Sequence, residues 1–498
     1  MSLFPAFKRE GARRAEGSRC RAGLMVGLLC IGAAWSGAAA AGYGIMVSEA
    51  TAAQAGWRSV VAALQAKHPG SVVFSWARQP EETLPALRAS FPRHVCFVAR
   101  PEEAGREFVA RVHRLMRRLD ADPYTDALWG ILTGYDAACA RRIALERDPL
   151  IVRKVAAGTE VALEMCEEGV WYSELKPGLM VRKPRGGAAR EETVPADTTE
   201  ALVRTLNEYR PDLFVTSGHA TERDWQIGYA YRNGQFRCQD GRLWGVDTRG
   251  RRFPVDSPNP KVYLPVGNCL MGHIDRRDCM ALAWMNSAGV RQMIGYTVPT
   301  WYGYAGWGCL DYFLEQPGRF TFAEAFFANQ HALIHRLARF FPEALKSPSE
   351  KPGRVPKPPA LTAGARAAGL TPTDGRGLLY DRDVVAFYGD PAWEARMAPQ
   401  PCAWEQTLTE REGVWTLTIT PRRGERTFEP INRNGAQRGG RPIVQFLPRR
   451  LGPVEIMEGA ELQPVVTDDF VLVPLPAQRP VAESYRVVFR ELARPATP

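Results

Sequence analysis

Cysteine is scarce in this sequence, and so are long apolar runs and any large excess of one charge. Ten cysteines in 498 residues are too few for a disulfide-rich scaffold. The net charge is +10, of which +4 lies in the first 41 residues, so the rest is too dilute for a nucleic-acid-binding surface. With 45% apolar and 24% charged residues, the composition is that of a globular protein. It excludes collagen, coiled coil, long disorder and a polytopic membrane protein.

The longest apolar run, residues 22–35, lies near the start of the chain. It follows a basic stretch that begins at Lys8, and small residues end it at Ala41. This order is typical of a secretory signal peptide, which we expect over residues 1–41; an uncleaved membrane anchor is the alternative. The mature chain is therefore expected to be exported, to the periplasm, the cell surface or the medium, with no membrane span.

From residue 42 to 398, short β-type runs alternate with helical patterns. Residues 212–217 and 261–266 have the apolar character of buried strands, and residues 322–341 form a strongly periodic helix. This alternation predicts an α/β domain with a mostly parallel sheet flanked by helices. Turn signals within 222–260 predict hairpins inserted between two core strands, and 343–377 is expected to be a flexible loop.

After residue 398 the pattern changes. Trp415, Leu417 and Ile419 alternate with threonines, and further short β-type runs follow without a convincing helix between them. Several short strands of this kind predict an all-β sandwich of immunoglobulin type over residues 399–498.

The chemistry is expected at the ends of two strands. His219 follows the run 212–217, and Cys269 follows the run 261–266 after a glycine-containing turn. In a parallel sheet both side chains emerge at the carboxyl edge, where open α/β sheets bind ligands. If the strands are neighbours, the imidazole can accept the thiol proton and later donate one to a leaving amine. Taken alone, the pair is equally compatible with an inert core cysteine and a hydrogen-bonded histidine.

Four stretches of the chain, in this order, resemble gingipain-type cysteine peptidases, a family of the caspase-fold group. They are residues 218–222 with Trp225, 267–272, 279–301 and 383–391. The resemblance covers roughly residues 95–490 and is firmest over 212–305 and 383–395. It implies a caspase-like α/β fold and an exported endopeptidase that cleaves peptide bonds through a thioester.

By this resemblance Cys269 is the nucleophile and His219 is the general acid/base. The sequence departs from the family at two positions. Ala220 stands where the family usually has glycine, and Asn268 is a less usual residue before the nucleophile. Both reacting groups are kept, but the substrate range and the activity itself are left open.

The other expected site residues are Gly218 and Ala220 as backbone donors to the oxyanion, Glu222 to orient His219, and Asp224, Trp225 and Trp301 to contact substrate. Three of these have simpler alternatives. Glu222 can be a solvated loop residue, Asp224 an ordinary surface acid, and Trp301 a packing residue of an aromatic cluster.

Metal-based interpretations are weaker. His331 and His335 share a helix face, but alanine follows His331, so the general base of an H-E-x-x-H zinc site is missing. Cys269, His273 and Cys279 match no familiar zinc spacing. We therefore expect no metal and no cofactor in the chemistry, although the resemblance allows a structural calcium ion.

Two other functions remain open at this point. A catalytically inactive caspase-fold module can serve surface binding or assembly. A Cys-dependent transpeptidase needs the same pair of residues and differs only in its products. For the peptidase, the expected partners are protein or peptide substrates. The polar cluster 122–126 is expected to form a structural turn or to line the cleft.

Overall fold

The structure is a computed structural model that describes residues 42–346, 351–477 and 479–492. The expected signal peptide, residues 1–41, lies outside the described residues. The described residues belong to one compact unit. Within the described residues, no helix is both long and apolar enough to span a membrane.

Helices and strands are mixed as far as residue 397, and strands dominate the remainder. The helices are α1 (Glu49–Ala52), α2 (Ala55–Lys67), α3 (Leu84–Ser90), α4 (Arg106–Leu115), α5 (Ala137–Ala144), α6 (Thr199–Arg204), α7 (Met280–Ser287), α8 (Tyr304–Phe313), α9 (Phe322–Phe340), α10 (Pro342–Lys346), α11 (Ala363–Ala367) and α12 (Pro372–Asp381). The strands are β1 (Tyr43–Ser48), β2 (Val72–Trp76), β3 (His94–Val98), β4 (Leu128–Leu132), β5 (Leu150–Val152), β6 (Lys154–Ala157), β7 (Glu168–Tyr172), β8 (Leu179–Lys183), β9 (Arg190–Thr193), β10 (Leu213–Thr216), β11 (Asp224–Gln226), β12 (Gln235–Gln239), β13 (Arg242–Val246), β14 (Arg252–Pro254), β15 (Lys261–Pro265), β16 (Val290–Tyr296), β17 (Val385–Tyr388), β18 (Ala395–Met397), β19 (Trp404–Arg411), β20 (Val414–Pro421), β21 (Ile443–Phe446), β22 (Val454–Glu458), β23 (Val465–Val466), β24 (Phe470–Val473) and β25 (Tyr485–Glu491).

A 12-stranded, mostly parallel sheet forms the centre of the molecule, in the order β2-β1-β3-β4-β17-β16-β15-β10-β6-β7-β8-β9. It contains two parallel blocks, which meet at the antiparallel pair β16 and β17. All residues of β1, β10, β15 and β16 are buried. Near-continuous apolar strands of this kind fit a sheet covered on both faces, so the expected α/β class with flanking helices is confirmed.

Helix α9 shows how sequence and packing agree. Thr321 caps its first turn by accepting from the Glu324 N–H at 3.1 Å, and the Glu324 side chain accepts from the Thr321 N–H at 2.8 Å. Thirteen of the 19 helix residues are buried. Its aromatic residues Phe326 and Phe327 pack on Phe387 of β17, which fixes the helix against the sheet.

Two segments interrupt the α/β pattern. Strands β11 to β14 form a four-stranded antiparallel sheet, where hairpins were expected between β10 and β15. The segment expected as a flexible loop, 343–377, includes most of α10, all of α11 and the start of α12. Thr362 and Thr371 cap the last two helices through their hydroxyls, and this stabilises helical turns in a Pro- and Gly-rich stretch.

The C-terminal region forms two antiparallel sheets, β19-β20-β25-β22 and β21-β24-β23. Trp415, Leu417 and Ile419 of β20 are buried with partners from both sheets, and the threonines between them are half-buried. The alternation of β20 therefore places one face of the strand in a small separate core.

The turn after β17, which contains Gly389-Asp390-Pro391, contacts β1 and the C-terminal end of α2. The Asp390 carboxylate accepts from Tyr43 Oη at 2.7 Å and lies 2.8 Å from His68 Nε2 and 2.9 Å from Lys67 Nζ. Burial raises the pKa of Asp390, but the hydrogen bond from His68 and the charge of Lys67 hold it well below its usual range. Asp390 therefore connects the segment after β17 with the N-terminal part of the α/β body.

Candidate active site

Five adjacent parallel strands, β7, β6, β10, β15 and β16, present their carboxyl ends at one edge of the sheet. The residues that follow these ends are, in sheet order, Glu174, Thr159, His219, Cys269 and Thr300. The two reactive side chains predicted from the sequence therefore lie on loops that leave neighbouring strands.

The pairing of β10 with β15 sets the relative position of the two loops. Leu213 pairs with Val262, and Thr216 pairs with Pro265. His219 lies three residues beyond the last paired residue of β10, and Cys269 lies four residues beyond that of β15. This neighbour relationship is the one that the sequence-based hypothesis requires.

Asn268 joins the two loops directly. Its Oδ1 accepts from Thr216 Oγ1 at 2.6 Å, and its Nδ2 donates to the Gly218 carbonyl at 3.1 Å. The residue is fully buried, so these hydrogen bonds are shielded from water. Asn268 thus has a structural role between the two loops.

The loop that carries Cys269 folds back onto β16. Leu270 has a φ of 58°, an uncommon conformation for a non-glycine residue, and its N–H donates to the Val298 carbonyl at 3.2 Å. The Gly272 N–H donates to the Tyr296 carbonyl at 2.8 Å, and a Cβ on Gly272 would lie 2.2 Å from the Gly295 oxygen. Only glycine allows this approach.

The Cys269 thiol is partly exposed and faces Thr300. The Thr300 N–H donates to Sγ at 3.2 Å, and the Thr300 carbonyl oxygen lies 3.8 Å from Sγ. A backbone N–H aimed at sulfur can donate to a thiolate as well as to a thiol. This contact orients the sulfur at the end of β16.

Burial makes the other described cysteines poor candidates for a nucleophile. All eight described cysteines are free, and none forms a disulfide with another described residue. Burial raises the thiol pKa of Cys96, Cys139, Cys166, Cys238, Cys279, Cys309 and Cys402. Thiols with raised pKa values are poor nucleophiles at neutral pH.

The His219 side chain is exposed at the surface of the same edge. Its ring stacks on Tyr229, with 5.0 Å between ring centroids and an interplanar angle of 29°. Among the hydrogen bonds of the described residues, none joins the His219 ring to Cys269. Catalytic hydrogen bonds are often long or absent before substrate binds, so the arrangement remains compatible with a catalytic pair.

The structure pairs Glu222 with His273. Glu222 Oε1 lies 2.8 Å from His273 Nδ1, and Arg106 Nε donates to His273 Nε2 at 3.0 Å. Burial lowers the pKa of His273, and its hydrogen bond to the Glu222 carboxylate opposes this. The expected orienting contact between Glu222 and His219 is therefore replaced by one with a histidine on the Cys269 loop.

Gly218 and Ala220 flank His219 as expected for backbone donors. Gly218 has a φ of 89°, a conformation that favours glycine. Ala220 lies between two backbone hydrogen bonds. The Gln226 N–H donates to the His219 carbonyl at 2.9 Å, and the Thr221 N–H donates to the Asp224 carbonyl at 2.8 Å. The Ala220 N–H thus points away from this antiparallel pairing.

Two expected substrate-contacting residues have other surroundings. Trp225 is fully buried, packs on Phe214 and Phe236, and donates from Nε1 to the Ser217 carbonyl at 2.7 Å. It therefore supports the His219 loop from inside the core and is not available to substrate. Asp224 is half-buried on β11, where its backbone pairs with Arg237.

Trp301 lies next to Thr300 and is 40% exposed. Its ring centroid is 5.6 Å from that of Tyr380, and the Arg376 guanidinium lies 5.5 Å from its ring centre. Packing therefore holds one part of the indole, and solvent reaches the other. This position beside the thiol is suitable for a contact with substrate.

Glu174 is a site residue that sequence reasoning missed. Its carboxylate is buried beneath Gly218 and accepts from Thr159 Oγ1 at 2.6 Å and from Ser217 Oγ. Burial raises the pKa of Glu174, against these hydrogen bonds, which lower it. Its backbone carbonyl also accepts from the Tyr229 N–H at 2.7 Å. These contacts link residues far apart in sequence, and no local motif indicates them.

His331 and three aspartates are potential metal ligands by residue type. His331 is fully buried and stacks on Phe470 at 4.1 Å, which is a packing role. The carboxylates of Asp120, Asp122 and Asp126 approach within 4.8 Å of one another, but each accepts a backbone or neighbouring hydrogen bond within the same turn. The cluster 122–126 thus forms a turn whose carboxylates accept backbone hydrogen bonds.

Comparison of the chain with known protein families and with curated proteins finds no match. The geometry of the sheet edge therefore carries the functional argument: a partly exposed thiol and an exposed imidazole on loops joined by the buried side chain of Asn268.

Proposed function

We propose that the chain is an exported, gingipain-type cysteine endopeptidase, with Cys269 as nucleophile and His219 as general acid/base. The observation that carries the proposal is the parallel pairing of β10 with β15, reinforced by the hydrogen bond from Asn268 to the Gly218 carbonyl. Together they hold a thiol and an imidazole on neighbouring loops at the ligand-binding edge of an α/β sheet.

In this proposal His219 accepts the Cys269 proton and the sulfur attacks the carbonyl carbon of the scissile peptide. The C–N bond breaks, the proton passes from His219 to the leaving amine, and a thioester remains on Cys269. Water then adds to the thioester and releases a carboxylate, and the proton returns to the site. Backbone N–H groups of Gly218, Ala220 and Cys269 are the candidate donors to the oxyanion.

The surroundings of the pair offer places for a peptide. Trp301 stands on the Thr300 side of the thiol, and a depression of about 670 Å³ lies beside Tyr229, the stacking partner of His219. An endopeptidase needs room on both sides of the scissile bond; Trp301 follows the residue that contacts Sγ, and Tyr229, which lines the depression, stacks on His219.

The proposal also includes a finer description of the fold. Within the proposal, the large sheet is a caspase-like core. The C-terminal sheets have four and three antiparallel strands, the strand count of an immunoglobulin-type sandwich. Neither assignment is needed for the chemistry, which depends only on the sheet edge.

The proposal is tested by alkylation and cleavage together. Iodoacetamide is expected to label Cys269 before any other cysteine, and His219→Ala and Cys269→Ala are each expected to abolish cleavage of unfolded protein substrates. Cys402→Ala is the matched control, because Cys402 is also partly exposed but contacts Pro317, outside this edge. Full cleavage by Cys269→Ala would refute the proposal.

Two other functions are outcomes of the same test. A thiol no more reactive than a model thiol, with no cleavage, would favour a non-catalytic binding or assembly module. The observation that favours such a module is the contact of Sγ with the Thr300 backbone, which suits a structural thiol as well as a nucleophile. Joined products in place of two free ends would identify a transpeptidase.

The proposed chemistry requires no metal or cofactor. We expect EDTA to leave the initial rate of cleavage unchanged, and a calcium ion, if one binds, to affect stability alone. Loss of activity within the first turnovers after chelation would contradict this part of the proposal.

A further inference from the structure

A loop of the C-terminal β region, residues 431–441 between β20 and β21, packs into the α/β body. Arg438 Nε donates to Asp311 at 2.6 Å and Nη2 to Glu315, and these three side chains are almost fully buried. Arg441 lies 3.6 Å from the ring centre of Tyr304. The base of this loop is therefore fixed on helix α8.

The tip of the same loop reaches the sheet edge that carries the candidate active site. Asn434 Nδ2 donates to Thr159 Oγ1 at 3.0 Å, and Thr159 Oγ1 donates to Glu174 Oε1 at 2.6 Å. Ser217 Oγ donates to the other carboxylate oxygen of Glu174. Ser217 is two residues before His219, so a continuous series of hydrogen bonds runs from the C-terminal region to the His219 loop.

Glu174 also contacts a segment that follows His219 in the chain. Its backbone carbonyl accepts from the N–H groups of Tyr229, at 2.7 Å, and Ala230, at 3.0 Å. The Tyr229 ring then stacks on the His219 imidazole. Glu174 thus holds the residues before His219 through its side chain. Through its backbone carbonyl it holds Tyr229, whose ring packs against His219.

We propose that Asn434 is a positioning residue for His219, acting through Thr159 and Glu174, so that the C-terminal β region contributes to the active centre. The inference rests on the proposed function of His219, and it concerns what holds the His219 ring in position. Glu174 is 7% exposed, and a buried carboxylate is sensitive to the loss of any donor in its network.

The direct test follows the His219 ring by NMR in protein labelled at its seven histidines, with His219→Gln for assignment. In Asn434→Ala the His219 signal is expected to shift by more than its line width. Arg433→Ala is the matched control, because Arg433 is an exposed neighbour whose ion pair within the described part of the chain is with Glu429, at 3.3 Å. Its His219 signal is expected to stay at the position of the parent.

A second pair of variants separates the hydrogen bond from general damage to the fold. Thr159→Val removes the hydroxyl and keeps the shape, and it is expected to shift the His219 signal. Thr159→Ser restores the hydroxyl and is expected to return the signal towards the parent position. In cleavage assays Asn434→Ala and Thr159→Val are expected to lower kcat about tenfold with little change in KM.

Unmoved His219 signals in both Asn434→Ala and Thr159→Val would overturn the inference, whatever the activity of the parent. Absence of cleavage by the parent would instead count against the proposed function, because the NMR signal does not depend on turnover. A shift that Thr159→Ser fails to reverse would also overturn it, since loss of packing would then explain the change.

Discussion

The side-chain amide of Asn268 donates to the carbonyl of Gly218 across a distance of 3.1 Å. This hydrogen bond connects the residue before the candidate nucleophile with the residue before the candidate general base. A second one, from Thr216 Oγ1 to Asn268 Oδ1, anchors the same amide to the end of β10. The relative position of the two reactive side chains therefore depends on one buried residue.

Replacement of Asn268 is expected to reduce both cleavage and stability. Asn268→Ala removes the partner of the Gly218 carbonyl, whereas Thr216 Oγ1 keeps a hydrogen bond with Tyr263 Oη at 2.9 Å, so we expect a stability cost of about 1–3 kcal/mol in all. Asn268→Asp can still accept from Thr216 but cannot donate to Gly218. We expect both variants to lose at least about tenfold in kcat/KM. Parent-like kcat/KM in Asn268→Asp would contradict this role, with circular dichroism as the check on folding.

Asp390 is expected to stabilise the fold through its buried ion pair. Asp390→Asn leaves the nearly buried Lys67 ammonium without its counter-charge, which costs about 3–5 kcal/mol in comparable sites. Because the folded-state pKa of Asp390 is depressed, its contribution is complete above the ordinary value of 3.8 and is lost as the pH falls further. Urea unfolding at pH 7 and pH 3 measures both effects. An unchanged unfolding midpoint at pH 7 would show that the ion pair contributes nothing.

Asp126 is expected to give the opposite pH dependence. Its carboxyl is 3% exposed, and burial, followed by the charge of Asp120, raises its pKa to about 9. The folded state then binds a proton that the unfolded chain releases above the ordinary value of 3.8, so stability declines as the pH rises towards 9. Asp126→Asn is expected to flatten this decline in thermal unfolding between pH 5 and pH 9. Asp256→Asn, at an exposed residue, is the control, and equal slopes in all three proteins would refute the assignment.

The C-terminal β region is expected to be needed for folding of the α/β body. Tyr312 Oη donates to the Pro442 carbonyl at 2.7 Å, and the Asp311 carboxylate pairs with Arg438. A chain of residues 42–398 leaves these buried polar groups unpaired, so we expect it to be sensitive to proteolysis, in contrast to residues 42–492. Equal thermal midpoints of the two chains would show that the α/β body folds independently.

The sequence predicts the central strands and the main helix closely because their signals are local. Strand β10 covers Leu213–Thr216 against the expected 212–217, and α9 covers Phe322–Phe340 against the expected 322–341. A buried parallel strand is a short apolar run between turn residues, and a long periodic helix with a capping box marks its own start.

Contacts between distant segments could not be predicted in this way. The role of Asn268 depends on β10 and β15 being neighbours, and the role of Glu174 depends on three further segments of the chain. Trp225 follows the His219 motif closely in sequence, but its burial is decided by packing against Phe214 and Phe236. A sequence pattern indicates which residues are chemically able to act, whereas tertiary packing decides which of them face substrate.

The most direct test of the account is digestion of a peptide library by the mature protein and by Cys269→Ala, with reductant and calcium present. Mass spectrometry identifies each new peptide end and the residue before the cut. The account predicts cleavage by the parent, with a consistent preference at that residue, and none by Cys269→Ala. Equal cleavage by both proteins, or none by a parent whose Cys269 reacts no faster than a model thiol, would contradict it.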